Sequence, residues 1–268
     1  MKKIGFIGTG KMASAIIKGL IKSNFITSDF LLASQTNPNN IQEKSNNLGI
    51  KIVLDNQLVA DTSDIIFIAT KPTQVIDVLA EIAPKLSNNK LIISIAAGVT
   101  LKTLESNLPT NTKVIRVMPN TPALVGAGMS AITKGKYATN EDITYVENLL
   151  SSIGKCVVID SEQLMDVVTA ISGSGPAFYY KVINEIAKAG EKLGLDYEQA
   201  LLLSIQTAIG SAQMALERNL PMETLISNVA TKGGCTRAGV DCMDEYKTET
   251  IWQDVINKTT QRAKELGQ

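Results

Sequence analysis

The chain has 268 residues, 26 basic against 26 acidic side chains and no net charge, so nothing favours a nucleic acid or an anionic membrane as partner. Its length suggests two domains with ample core, and no apolar run reaches the roughly 18 to 20 residues of a membrane span, so a cytoplasmic protein is expected. Histidine is absent, and Cys156, Cys235 and Cys242 form no Cys-x-x-Cys pair; this excludes Ser-His-Asp and Cys-His relays and imidazole zinc sites, and no metal is expected.

The first apolar run, Ile4 to Ile7, breaks into Gly8-Thr9-Gly10-Lys11-Met12-Ala13 and continues with apolar positions at Met12, Ala15, Ile16 and Leu20. This is the Gly-x-Gly-x-x-Ala cradle of a dinucleotide-binding fold. Gly8 permits the tight turn, Gly10 lets the backbone approach a pyrophosphate, and Ala13 lets helix and strand pack closely. The N–H groups of the following helix, from Lys11 and Met12 onward, favour an anion.

Strand-length runs then recur at Phe30 to Ala33, Ile65 to Ala69, Leu91 to Ile95 and Val114 to Met118. Helical patterns separate them at Asn39 to Leu48, Thr73 to Leu86 and Leu101 to Asn107. Strand and helix in alternation predict a doubly wound parallel sheet covered on both faces, a Rossmann-type α/β domain. A strand at Met129 to Thr133, a helix at Asn140 to Ile153 and a strand at Lys155 to Ile159 close this domain, taken as residues 1–160.

After Asp160 the strand signals stop. Gln163 to Ala170, Pro176 to Leu193, Tyr197 to Glu217, Met222 to Val229 and Glu249 to Leu266 read as helices, with Pro176 suited to a first turn and Gly194 to a helix end. Residues 161–268 are therefore expected to form an all-helical domain. Its small residues, among them Ala187, Gly190, Ala208 and Gly210, suit an internal bundle or a subunit interface equally.

Ligands of an open parallel sheet lie beyond the carboxyl ends of its strands. Ser34-Gln35-Thr36-Asn37 follows the second strand without the Asp or Glu that usually holds the ribose 2′-hydroxyl of NAD, and also without an Arg. The loop favours NADPH, with NADH as a second donor. Thr70-Lys71-Pro72 sets a cation at the mouth of the crevice, either a cofactor contact or a solvated lysine. Ala96-Ala97-Gly98 either leaves room for a nicotinamide ribose or packs a helix entry. Asn120 stands in the stiff Met118-Pro119-Asn120-Thr121-Pro122 loop, which positions a substrate or merely connects two elements.

In the helical half, Thr231-Lys232-Gly233-Gly234-Cys235-Thr236 precedes a helix. Successive glycine N–H groups there would bind a carboxylate, with Thr236 beside it; alternatively Thr236 is a helix cap or first-turn residue. Cys235 and Cys242, if they share a helix, lie about 10 Å apart, beyond disulfide reach.

These pieces in this order resemble the pyrroline-5-carboxylate reductase family. The similarity covers essentially the whole chain and rests on residues 4–13, Lys71-Pro72, residues 94–98, Arg116-Val117-Met118-Pro119-Asn120-Thr121-Pro122-Ala123, Ser172-Gly173-Ser174-Gly175-Pro176-Ala177 and Gly233-Gly234 with Thr236. The family pattern Ser-Pro-Gly-Gly-Thr-Thr is met here by Thr231, Lys232, Gly233, Gly234, Cys235 and Thr236. The glycines and the last threonine match; the other three positions do not.

The resemblance implies reduction of 1-pyrroline-5-carboxylate to L-proline by hydride transfer to a cyclic imine, the last step of proline synthesis. It implies Asn56 at the adenosine end of the cofactor, Thr236 as the hydroxyl serving the ring nitrogen, and Asn120, Thr231, Gly233, Gly234 and Cys235 around the substrate. It also implies a homodimer through the helical domain whose interlocked helices build each active site, standing either alone or within a larger ring of dimers. An iminium that arrives protonated needs no strong protein acid, which agrees with the missing histidine. The alternatives are a related NADP-dependent imine or β-hydroxyacid-type oxidoreductase, for which Lys181 and Lys188 lack a supporting motif, and a non-catalytic NADP-binding sensor.

Overall fold

The computed structural model describes residues 2–266. In chain order they form β1 (Ile4–Ile7), α1 (Lys11–Lys22), β2 (Leu31–Ser34), α2 (Ile41–Leu48), β3 (Lys51–Val53), α3 (Asn56–Thr62), β4 (Ile65–Ile68), α4 (Val75–Ile82), β5 (Leu91–Ser94) and α5 (Leu101–Ser106). There follow β6 (Lys113–Met118), β7 (Gly128–Lys134), α6 (Asn140–Ser151), β8 (Gly154–Val158) and α7 (Met165–Val168). A π-helical turn, Thr169–Gly173, leads to α8 (Gly175–Lys192), α9 (Tyr197–Arg218), α10 (Met222–Val229), α11 (Cys235–Glu245) and α12 (Thr248–Leu266).

The strands make one sheet in the order β3-β2-β1-β4-β5-β6-β7-β8. The order reverses between β1 and β4, the switch point where such sheets bind dinucleotides. β3 to β6 pair in parallel as expected, but β7 runs antiparallel to β6. Only residues 119–127, with a 3-10 turn at Thr121–Val125, join these two strands; that is too short for the helical crossover that a parallel return requires. α6 then carries the chain back so that β8 pairs in parallel with β7.

Alternation along each strand divides the core between the two faces. Ile65 and Phe67 of β4 join Ile4, Phe6, Ile16, Leu20, Leu149 and Leu150 on one side, with Phe6 and Phe67 stacked at 4.5 Å. Ile66 and Ile68 join Ile7, Val59, Leu79, Ile82 and Leu104 on the other. A Thr139–Asp142 capping box opens α6, and Lys113 pairs with Asp142 at 3.0 Å. Burial pushes the Asp142 carboxyl up, yet hydrogen bonds from Thr139 and Lys113 outweigh it and hold its pKa below the ordinary value.

Internal contacts divide the chain into residues 2–174 with 259–266, and Gly175–Lys258. The expected boundary at residue 160 falls inside the first of these units, because Arg116 of β6 holds Glu162 and Asp166 at 2.8 and 3.7 Å. In the second unit α8 and α9 pack along small residues: a Cβ on Gly190 would lie 3.3 Å from that of Ala200, and Ser204 Oγ donates to Ile183 O at 3.1 Å. The outer faces of these helices leave Tyr179, Tyr180, Leu202, Leu203 and Leu216 exposed. Among the described residues no helix is long and apolar enough to cross a membrane.

Candidate active site

The first unit carries a cleft of about 500 Å³ at the carboxyl ends of β1, β2 and β4. A larger one, about 760 Å³, lies at the opposite, amino ends among Lys3, Ser28 and Lys51, away from the glycine loop. The smaller cleft is the one that contains the glycine loop. Its floor is set by backbone ladders that run past the strands: Gly8 N–H donates to Ser34 O, Ala69 N–H to Ile7 O and Gln35 N–H to Val53 O, at 3.0, 2.9 and 3.1 Å.

Gly8 has φ +103°, and a Cβ there would lie 2.7 Å from Ala69 O. Both the left-handed backbone and the close approach require glycine. Gly10 caps α1 with an extended backbone, and a Cβ on it would meet nothing within 4 Å. Its open side is room for a ligand. Ser14 N–H makes the first helical bond, to Gly10 O, so the N–H groups of Lys11, Met12 and Ala13 have no acceptor within the helix. Ala13 itself is buried in the core, as its place in the motif predicts.

Of the other expected cofactor residues, Gln35, Asn56, Thr70 and Lys71 line the cleft together with Gly8 and Gly10. Ser34 lies beneath, its Oγ donating to Asn56 Oδ1 at 2.6 Å, while Asn56 Nδ2 donates to Glu81 at 2.7 Å. The Thr70 hydroxyl is buried and lacks a hydrogen-bond partner among the described residues. A buried hydroxyl without a partner costs about 1–3 kcal/mol, and a bound nucleotide offers oxygens to satisfy it. With the open face of Gly10, this fits a dinucleotide.

Gln35 does not present its amide to the cleft as a free group. Its Oε1 accepts from Thr9 Oγ1 at 2.8 Å, and its Nε2 donates to Asn37 O and Asn40 Oδ1 at 2.5 and 2.8 Å. Pro72 opens a 3-10 turn, Pro72–Gln74, that leads into α4. Ala96 packs into the core and Gly98 takes φ +79° in the turn that follows, so of that trio Ala97 alone remains half-exposed. Asn120 uses both ends of its amide inside the fold: Oδ1 accepts Met129 N–H at 2.8 Å and Nδ2 donates to Ser172 O at 3.1 Å.

In the second unit, Thr231, Lys232, Gly233 and Gly234 form a turn closed by Gly234 N–H donating to Thr231 O at 3.0 Å. Gly233, at the third position with φ +77°, has the backbone sign that a type II turn needs. The expectation that both glycine amides face a carboxylate is corrected here, because the turn itself consumes the Gly234 N–H. The remaining donors are Gly233 and the first turn of α11, whose first helical bond runs from Ala238 N–H to Gly234 O at 3.4 Å. Gly234 is the cap of α11 and Cys235 its first residue, so Thr236 is not the cap. Thr231, Cys235 and Thr236 are all exposed in the protomer. Arg237, one residue on, is neutralised by Asp241 and Asp244.

Two groups that sequence reasoning passed over complete the picture. Lys44 of α2 reaches Thr9 across the cleft, and Arg116, on a strand flanked by β5 and β7, pairs with Glu162. Both depend on contacts across 35 and 46 residues, which no local pattern encodes.

A family model for pyrroline-5-carboxylate reductase dimerisation matches residues 162–266, and one described as NADP oxidoreductase, coenzyme F420-dependent, matches residues 3–98. The pyrroline-5-carboxylate reductase of Methanosarcina acetivorans is 39% identical over 266 residues, covering 99% of this chain and 98% of its own. A Coxiella burnetii pyrroline-5-carboxylate reductase superposes with a TM-score of 0.94 at 30% identity, covering 100% and 99% of the two chains. A Plasmodium falciparum pyrroline carboxylate reductase, solved with NADP bound, gives 0.88 at 32% identity, covering 100% and 98%. On fold, motifs and end-to-end similarity, this chain belongs to the pyrroline-5-carboxylate reductase family.

Proposed function

We infer that the protein reduces 1-pyrroline-5-carboxylate to L-proline with NADPH, consuming one proton and releasing NADP⁺. The observation that carries this reading is the end-to-end match to pyrroline-5-carboxylate reductases, one of them 39% identical over 266 residues. NADPH supplies the hydride. The first turn of α1 and the Gly8–Gly10 loop hold its pyrophosphate, Asn56 its adenosine end, and Thr70 and Lys71 its approach along β4.

On the substrate side, Gly233 and the first-turn N–H groups of Cys235 and Thr236 hold the carboxylate, where the dipole of α11 favours an anion. The Thr236 hydroxyl hydrogen-bonds the ring nitrogen. Asn120 positions rather than touches: it ties the loop after β6 to the π-helical turn at Ser172. A homo-oligomer built on the helical region belongs to the same reading, supported by the dimerisation-family match and by the exposed apolar faces of α8 and α9. Its finer form is a dimer assembled into a ring of dimers. A cytoplasmic setting agrees with three free cysteines.

The test is an assay of the purified protein with NADPH and 1-pyrroline-5-carboxylate, followed by chromatography of the product. Proline is expected. Normal NADPH binding without proline would leave the sensor reading in its place.

A further inference from the structure

We propose that Lys44 is the group that distinguishes NADPH from NADH, by taking the 2′-phosphate, and that Thr9 and Gln35 hold it in position. The proposal rests on the NADPH reading given above. It begins from an apparent gap: the loop after β2 has neither the carboxylate that selects NAD nor an arginine to select NADP. The fold fills the gap from α2. Lys44 lines the cofactor cleft beside Gln35, Thr36 and Asn37, which follow β2 where the adenosine ribose of a doubly wound sheet lies.

The hydrogen bonds fix the direction of the arrangement. Lys44 Nζ lies 3.3 Å from Thr9 O and 3.2 Å from Thr9 Oγ1, both of which accept from it. Thr9 can accept through its hydroxyl because its single proton is given to Gln35 Oε1 at 2.8 Å. Gln35 is buried and fixed in turn by Asn37 and Asn40. An ammonium has three donors; Thr9 takes two and one remains for a ligand. Among the described residues Lys44 has no carboxylate partner, so its charge is not cancelled locally. A half-buried, uncancelled cation with a spare donor, beside the ribose position, matches a phosphate monoester and gains much less from a neutral hydroxyl.

A glutamine in place of the usual acid thus does more than remove repulsion. It orients the threonine that presents the lysine.

The test measures nucleotide binding rather than turnover, using 2′,5′-ADP and 5′-AMP with the full-length protein by titration calorimetry. The unmodified protein is expected to prefer 2′,5′-ADP. Lys44→Gln should weaken 2′,5′-ADP roughly 10- to 100-fold, the loss of one charge-assisted hydrogen bond, and leave 5′-AMP within about twofold. Lys44→Arg should retain most of the preference. Lys18→Gln, which removes an exposed charge bound to Asn47 on the neighbouring face, controls for net charge and should change either affinity less than about twofold. The assignment fails if Lys44→Gln leaves 2′,5′-ADP affinity unchanged, if it weakens both nucleotides alike, or if Lys18→Gln has the same effect. If the unmodified protein binds neither nucleotide, the NADPH reading itself falls, an outcome distinct from the others.

Discussion

Arg116 at the heart of β6 and Glu162, 46 residues later, form an ion pair at 2.8 Å that ties the sheet to the start of the helical segment. The same Glu162 oxygen accepts the Leu101 N–H at 2.6 Å, the first residue of α5. Arg116 is only 5% exposed, so its charge depends on this partner and on Asp166.

Glu162→Gln should therefore destabilise the fold by about 1–3 kcal/mol, below the cost of stripping a fully buried charge because Asp166 stays near the guanidinium. Thermal unfolding checks this. An unchanged Tm would mean that Asp166 alone satisfies Arg116.

Gly8 and Gly10 share a motif but answer to different constraints, and alanine separates them. Gly8→Ala places a Cβ 2.7 Å from Ala69 O at a left-handed φ, so it should lower Tm and nucleotide affinity together. Gly10→Ala meets only open space and should leave Tm nearly unchanged while weakening NADPH, because the methyl occupies the pyrophosphate's approach. Parallel melting and NADPH fluorescence titrations distinguish the two. Equal loss of Tm in both variants would contradict the assignment.

The cradle was legible because a glycine motif, a strand and an apolar helical face are all local. The β3 strand and α3 were not: Lys51–Val53 is three residues long and begins with a charge, too short for an alternation to register. Strand direction was equally hidden, since a period of two reads the same in parallel and antiparallel pairs; only the short connection before β7 reveals it. At Asn120 and Gln35 the sequence marked two loops at the carboxyl ends of strands but not the orientation of the amides, which their tertiary partners decide. The Thr231–Thr236 segment was legible as a glycine turn before a helix, whereas the loss of the Gly234 amide to that turn was not.

Thr236 lies in the first turn of α11 but does not cap it. Thr236→Ala should accordingly leave Tm almost unchanged while lowering kcat/KM about 5- to 150-fold, the cost of one hydrogen bond to the reacting nitrogen. Thr236→Ser should recover most of the rate. Unchanged imine kinetics in Thr236→Ala would refute the role. Gly234→Ala is a less clean probe than its position suggests, since the new Cβ meets Thr231 Oγ1 at 3.0 Å and disturbs the turn itself.

Burial, followed by the charge of Glu147, pushes the Cys156 thiol up to about 12. At pH 8 a thiol reagent should label Cys156 far more slowly than it does the unfolded chain, because the thiolate is the nucleophile. The thiol of the unfolded chain ionises near its ordinary value of 9.0, so the folded state's preference for the neutral form is complete below that pH. This contribution is lost as pH rises from about 9 towards 12. Fast native labelling of Cys156, identified by peptide mass, would contradict the raised pKa of this half-buried thiol.

Delivery of a hydride to the imine carbon of 1-pyrroline-5-carboxylate is tested most directly by isotope transfer. NADPH deuterated at the transferred C4 position should yield L-proline carrying one deuterium at ring carbon 5, one molecule for each NADPH oxidised. Proline without deuterium, or NADPH oxidation with no proline, would contradict it.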